Sequence, residues 1–400
     1  MSIADEPLLV AAAAAPPGPS DLPLLQTTGA LTMGVVGLLL SGPMPLLLGA
    51  LAGEGHIPVE RIGDTAMAEA LAMAATNAAF SAFVPPARIR AIGALAVLTL
   101  AAIDLATGWG RGWGVVGIRA LAGVPEGILL WILIGMVVRS KTPARWSGVY
   151  YTALTLSELG LTAALTGLVL PRFHAIGAFV VAAGLIALCA PFALLCPREY
   201  AALPSGATRA GWPPPRGWLA LSVTFLFTAS IAGVAIYFVP LAEQTGLSAA
   251  IAGAAITASL AVQILGSAMA TALAGRIRYY MVLLATGCVV LASWAAFAAM
   301  PPAWLFIAGA MAIGFVALFS APFQVPMLIE ADPSRSAAAQ SGGVGLMGGA
   351  IGPFLASRVI AGHNVVAVLA LGAVMLIAAL LILSTLHLTR DRPAAAAIAR

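Results

Sequence analysis

Apolar runs of about twenty residues follow one another along the chain, parted by short stretches rich in Gly, Pro or charge. A helix needs roughly 20 mostly apolar residues to cross the hydrocarbon of a bilayer. Such runs fall at 28–52, 62–84, 92–110, 115–138, 147–170 and 174–196. After a polar break they resume at 218–241, 250–274, 279–299, 302–328, 338–361 and 364–387. The pattern predicts an all-α membrane protein with twelve transmembrane helices. The break at 197–217 is the longest polar interval and the richest in Pro and Gly. It reads as a central linker between two six-helix bundles, 28–196 and 218–387. The flanks, 1–27 and 388–400, read as tails. The first holds Asp5, Glu6 and Asp21 but no basic residue, and its Ala11–Ala15 run is too short to span. It is expected to be an uncleaved, disordered segment and not a signal peptide.

Charge orients these helices. Of 19 basic residues, Arg61, Arg111, Arg172 and Arg358 fall on one side of the alternating loops, and Arg119 lies inside a run. All the others fall on the opposite side or in the tails. Cytoplasmic loops carry the excess of Lys and Arg, so both termini are expected in the cytoplasm. Composition agrees with this setting. The 400 residues are 61% hydrophobic and 8% charged, against about 25% charged in soluble domains. Soluble enzymes, nucleic-acid-binding modules and disordered chains are excluded on that ground, despite a formal charge of +4.

A faint repeat accompanies the division. Pro85-Pro-Ala-Arg-Ile-Arg90 after the second run echoes Gly275-Arg-Ile-Arg278 after the eighth. Ile57-Pro-Val-Glu-Arg-Ile-Gly63 before the second run aligns with Leu247-Ser-Ala-Ala-Ile-Ala-Gly253 before the eighth. Such equivalent placement fits a duplicated six-helix unit. Together with Arg119-x-x-x-Gly123 and the span Gly342-Gly-Val-Gly-Leu-Met-Gly-Gly-Ala-Ile-Gly352-Pro353, these features resemble the major facilitator superfamily of transporters. The likeness covers nearly the whole chain. It implies two pseudo-symmetric bundles, a central cavity at mid-membrane depth and rocking of one bundle against the other. It also implies a monomer, and it places the first, fourth, seventh and tenth spans on the cavity.

Ionisable side chains at membrane depth are costly and mark pathways or pairs. Glu126 and Glu158 fall near the middles of the fourth and fifth runs, so they share a depth. Arg119 precedes Glu126 by seven residues, two helical turns or roughly 10 Å. A carboxylate in such a place can load and release a proton, which makes Glu126 and Glu158 the candidates for proton coupling. Arg119 is the candidate for holding an anionic group, with helix stapling as the bland alternative. Glu69, nearer the outer face, reads as a gate or a staple. The second half has no interior charge. Its Tyr237, Gln263 and Gln324, with Asn77 of the second run, are candidate substrate contacts; by resemblance the cavity-facing spans favour Tyr237 and Gln324. Each could equally be a helix–helix hydrogen bond. Phe315, Phe319 and Phe323 recur at helical spacing and read first as packing.

Other chemistries find little support. Cys189, Cys196 and Cys288 form no CxxC pair and read as buried packing residues. His56, His174, His363 and His387 lie near the ends of separate runs, so no haem or metal site is expected. The lone lysine, Lys141, lies in a polar loop, which excludes a retinal Schiff base. With no nucleotide-binding loop, the sequence points to a non-enzyme without cofactor: a secondary transporter of a small organic molecule, coupled to protons, in the inner membrane of a bacterium. A non-coupled facilitator or transporter-like sensor is the alternative, and a membrane-embedded transferase ranks below both.

Overall fold

The computed structural model describes residues 22–140, 143–200, 213–273, 276–333, 336–360 and 364–389. Almost all of the amino-terminal tail, linker positions 201–212 and the chain from 390 onward lie outside the described residues. The described parts of the apolar runs are largely helical. The first run contains α1 (Leu24–Leu38) and α2 (Met44–Gly53), followed by α3 (Arg61–Phe83), α4 (Ile89–Thr107) and α5 (Trp113–Val137). Next come α6 (Pro143–Ala164) and α7 (Leu170–Leu188). The second half comprises α8 (Pro215–Ala235), α9 (Phe238–Gln244), α10 (Ala249–Leu273) and α11 (Tyr279–Ala298). It ends with α12 (Ala303–Ala331), α13 (Ser336–Val359) and α14 (Ala367–Leu388). Among the described residues, eight helical stretches are long and apolar enough to cross a membrane. α3 and α13 are not among them, because α3 carries Asp64, Glu69 and Asn77 and α13 is rich in Ser and Gly.

Three departures from uninterrupted spans have local causes. The first run breaks between Leu39 and Pro43, where Pro43 and Pro45 remove two N–H donors at the start of α2. The seventh run breaks at Tyr237, with φ −101° and ψ 15°, three residues before Pro240. A single stretch of 51 residues, Arg145–Leu195, covers two predicted runs. It is divided at His174, whose φ of 58° and ψ of −167° are non-helical. There the Ala175 N–H donates to Glu54 Oε1 at 2.8 Å, which seats the new helix start against the end of α2.

Loops gather at two ends of the molecule. At one, the Ile89 N–H donates to the Arg198 carbonyl at 3.0 Å and the Tyr200 N–H to that of Pro86 at 2.9 Å. Arg90 Nε donates to the Cys196 carbonyl at 2.7 Å. This is the end of the basic turns. At the opposite end, the Gly112 N–H donates to the His56 carbonyl at 2.8 Å, and the His56 ring meets the Gly110 carbonyl. Trp109, Trp113 and Trp304 are exposed at helix ends, as an interfacial belt requires. Cys196 is buried and Cys189 half-buried, but Cys288 is exposed on α11. The expectation of three buried thiols fails at Cys288, which a lipid-facing helix tolerates because a thiol is nearly apolar.

Within the first half, α5 packs on α3, α4 and α1, and α4 packs on α7. Within the second, α8 packs on α13 and α14, and α12 on α10 and α11. The halves meet through α3 with α13, α6 with α10, and α2 with α9. Three polar contacts across this boundary lie at the end opposite the basic turns. The Gly63 N–H donates to Tyr237 Oη at 2.9 Å. Arg358 pairs with Asp64, and Ser357 Oγ donates to the same carboxylate at 3.3 Å. Toward the basic end, a Cβ added at Gly342, Gly345 or Gly349 of α13 would meet open space. Among the described residues, the halves are thus tied by side chains at the end opposite the basic turns, while this face of α13 stands clear.

The repeated motif explains the seal. Gly63 on α3 abuts the Pro353 carbonyl of α13, and Gly253 on α10 lies against Thr166 beyond the end of α6. These glycines occupy equivalent places in the two aligned motifs, and each touches the other half. A Cβ at Gly63 would stand 2.9 Å from Tyr237 Oη, and one at Gly253 2.6 Å from Thr166 Cγ2. A Gly63→Leu substitution is therefore expected to wedge the sealed end open. A thiol placed at Ala66 should then react several-fold faster with a membrane-impermeant maleimide added from the α2–α3 side. Unchanged labelling would show that this crossing does not hold the seal.

Candidate functional site

α3, α4 and α5 place four ionisable side chains around one point. Arg119 lies six residues into α5 and has no exposed surface. Its Nε donates to Glu69 Oε2 at 2.9 Å, and Nη2 pairs with Glu69 Oε1, a two-pronged grip by the planar guanidinium. Nη1 pairs with Asp104 of α4. Nη2 also donates to Oε1 of Glu126, further along the same helix, at 3.3 Å. One cation thus meets three carboxyl groups from three helices.

The close approach of α5 to α3 makes this possible. A Cβ at Gly123 would stand 2.8 Å from the Met73 N, and one at Gly127 3.0 Å from the Asn77 N. Small residues at this seam let the backbones nearly touch, which brings Glu69 within reach of Arg119. Asp104 is wholly buried, and its Oδ2 has no hydrogen-bond partner.

Part of the cluster opens on a cavity of about 250 Å³ between the halves. Glu69 and Glu126 line it from the first half, with Ser41 and Met73. Ala232, Ile236, Gly349 and Pro353 form the facing wall. Arg119 and Asp104 stand behind the two glutamates and do not line it. Glu158, on α6, lies across the break between α1 and α2. Its Oε1 accepts from Ser41 Oγ at 2.6 Å and from the Gly42 N–H at 2.9 Å. Glu158 is thereby joined to the cavity wall through Ser41, while its carboxyl is separate from the Arg119 cluster.

The remaining candidates are dispersed. Tyr237 is fully buried, and its hydroxyl is engaged by Gly63 at the sealed end. Gln324 lines a second space of about 440 Å³ nearer the basic end, with Tyr151, Thr228, Ser320 and Ser341. Asn77 lies two turns along α3 from Glu69, its Oδ1 buried and unpartnered. Gln263 is half-buried on α10. Phe315, Phe319 and Phe323 stack along α12 with ring centroids 5.0 and 5.4 Å apart.

Asp104, Asp64 and Ser41 are functional candidates that the sequence reading passed over. For Asp104 a signal existed. It lies three residues before the end of α4, and Arg119 lies six after the start of α5, so the hairpin sets them at similar depth.

Comparison with solved structures places this arrangement. The chain is similar to a point mutant of the nucleoside transporter NupG, with a TM-score of 0.70 over 90% of this chain and 99% of the other, at 11% identity. It is also similar to a bacterial homologue of the human lysosomal transporter Spinster. In the inward-facing, unoccupied form the TM-score is 0.61 over 91% of this chain and 96% of the other, at 14% identity. In the inward-facing, occupied form it is 0.59 over 91% and 94%, again at 14% identity. No family profile and no curated protein matches the sequence. The chain has the fold of major facilitator superfamily transporters, and it is a multi-pass membrane protein.

Burial makes Arg119 indispensable to the cluster. Removing one partner of a buried charge network costs about 3–5 kcal/mol, because the other charges are left uncompensated. Arg119→Ala is therefore expected to lower the melting temperature of the purified protein in detergent at neutral pH. The deficit should shrink as the pH falls, since carboxyl groups that have taken up protons need no counter-charge. A deficit independent of pH would show that packing, and not charge, is what Arg119 supplies.

Proposed function

We propose that this protein is a secondary active transporter that moves a small organic molecule across the inner membrane of a bacterium by alternating access, coupled to protons. The observation that carries the reading is a carboxyl pair, Glu69 and Glu126, lining a cavity between the two halves. In this reading the chain crosses the membrane twelve times, with bundles 28–196 and 218–387 and both termini in the cytoplasm. The basic turns then face the cytoplasm, and the described conformation is open inward. The work is transport and not catalysis, as it is for the solved structures that share this fold.

Proton handling follows from charge balance. With Glu69, Asp104 and Glu126 all ionised around Arg119, the cluster would carry a net charge of −2 in a medium where isolated charge is expensive. Proton uptake relieves that imbalance, and Glu126 and Glu69 are the members that the cavity can reach. Arg119 holds the three carboxyl groups at one depth, so a change at one is felt by the others. Glu158 is the second proton-coupling carboxyl. When ionised it makes charge-assisted bonds to Ser41 and Gly42, and protonation weakens its hold on the break between α1 and α2. Gln324 lines the space toward the basic end, Asn77 and Gln263 are further proposed contacts, and Tyr237 serves closure at the far end.

The reading is tested without knowledge of the cargo. Spin labels on Val138→Cys and Ile277→Cys, in a background free of native cysteines, report the gap between the halves at the basic end. In nanodiscs, the population with a wide gap should change as the pH is taken from about 8 to about 5.5. Glu126→Gln should abolish most of that response, and Glu158→Gln should reduce it. A pH response that persists unchanged in both variants removes the proposed coupling sites.

A further inference from the structure

The cavity specifies more than a coupling site. We infer that the cargo is a small organic cation, an amine with an apolar body, that takes the place of a proton at the Glu69–Glu126 pair. The inference rests on the transport reading above and adds the chemical class of what is carried.

Charge is the first ground. Glu69 and Glu126 are the charged residues that line the cavity. The nearby cation, Arg119, has no accessible surface, and its donors are directed at Glu69, Asp104 and Glu126. An anion entering the cavity would have to displace a carboxylate from that guanidinium and then lie beside the others. Like charges at such range in a low dielectric repel by several kcal/mol. A cation meets the reverse situation, two carboxyl groups and no competing positive charge on the wall.

Hydrogen bonding is the second ground, and it argues against neutral polar cargo. Ser41 is the hydroxyl on the wall, and its oxygen lies within bonding distance of both Glu158 and the Leu38 carbonyl. The other lining residues are Gly, Ala, Leu, Met, Ile and Pro. No side-chain N–H of the lining residues is offered to a ligand, so a sugar-like molecule would leave most of its acceptors unpaired, at a cost for each. An apolar body beside one positive charge fits this lining. The volume, about 250 Å³, lies just below the usual range of ligand pockets, roughly 300–1,000 Å³, and so limits the cargo in size.

Exchange with the proton follows from the surroundings of Glu126. The charged groups that act on it are Glu69 of α3, Asp104 of α4 and Arg119 of its own helix. Glu158 of α6 is engaged beyond Ser41, and α8 and α13 bring no charged residue to the cavity wall. One arriving cation and one departing proton leave the charge of this cluster unchanged. Both positive charges draw on the same carboxyl pair, Glu69 and Glu126, so binding of one weakens the hold on the other, which is what exchange requires.

The test uses benzyltrimethylammonium, a permanent cation that cannot itself donate a proton, with phenylacetate and phenylacetamide as its anionic and neutral counterparts. Purified wild-type protein in weakly buffered detergent is titrated with each by calorimetry, while a pH-sensitive dye follows protons. The expected result is binding of the cation with release of about one proton per site, and binding of the other two at least about tenfold weaker, a difference of roughly 1.4 kcal/mol. Glu126→Gln and Glu69→Gln should each weaken the cation about tenfold or more with little change for phenylacetamide. The wild-type charge series stands even if a variant fails to fold. Equal or tighter binding of phenylacetate or phenylacetamide, or no binding of the cation, overturns the inference. Phenylacetate binding with proton uptake would overturn the cargo class and leave proton coupling standing. Cation binding without proton release would overturn the exchange and, with it, the coupling.

Discussion

A guanidinium shut away from water among three carboxyl groups is the constraint around which the first half of this protein is arranged. Arg119 cannot be stored in such a place alone, because desolvation of a single ion exceeds what any one partner returns. Glu69, Asp104 and Glu126 therefore have to come from three separate helices to the same depth. The Gly123 and Gly127 seam between α3 and α5 exists in service of that meeting. Three acids to one base is also an unbalanced ratio, and in the proposed cycle that imbalance gives the cavity-facing members something to exchange.

The helical architecture was largely legible in the chain. Hydropathy and the Gly and Pro punctuation located the helices and their order, because lipid permits few solutions to backbone hydrogen bonding. The site was legible in part. Arg119 and Glu126 announce each other by their spacing on one helix. Asp104 did not stand out, since its partner lies across a helical hairpin and a reading confined to mid-depth residues passes it by. Glu158 presented itself as an isolated mid-membrane acid, yet its partners, Ser41 and the Gly42 N–H, lie more than a hundred residues earlier. A contact of that range leaves no trace in local pattern. The interruption between α1 and α2 was similarly hidden, although Pro43 and Pro45 mark it, because prolines also occur within membrane helices that continue.

The two halves divide labour unequally. All ionisable groups of the cavity belong to α3 and α5, while α8 and α13 contribute alanine, glycine and proline. Chemical recognition in the proposed cycle is therefore a property of the first half. The second half supplies closure, through Tyr237, Ser357 and Arg358 at the sealed end. Similar sets of helices thus serve different ends, with charge kept in one half and contact surface in the other.

The face of α13 that runs from Gly349 back through Gly345 and Gly342 is bare backbone with empty space before it. In the proposed cycle that stretch of wall offers a departing molecule no side chain to catch on, with Gln324 and Ser341 only at its border. A carrier needs its strongest grip at one depth and weaker ones along the exit, or turnover stalls on a ladder of intermediate stops. In such a cycle the glycines would keep that part of the way out slippery.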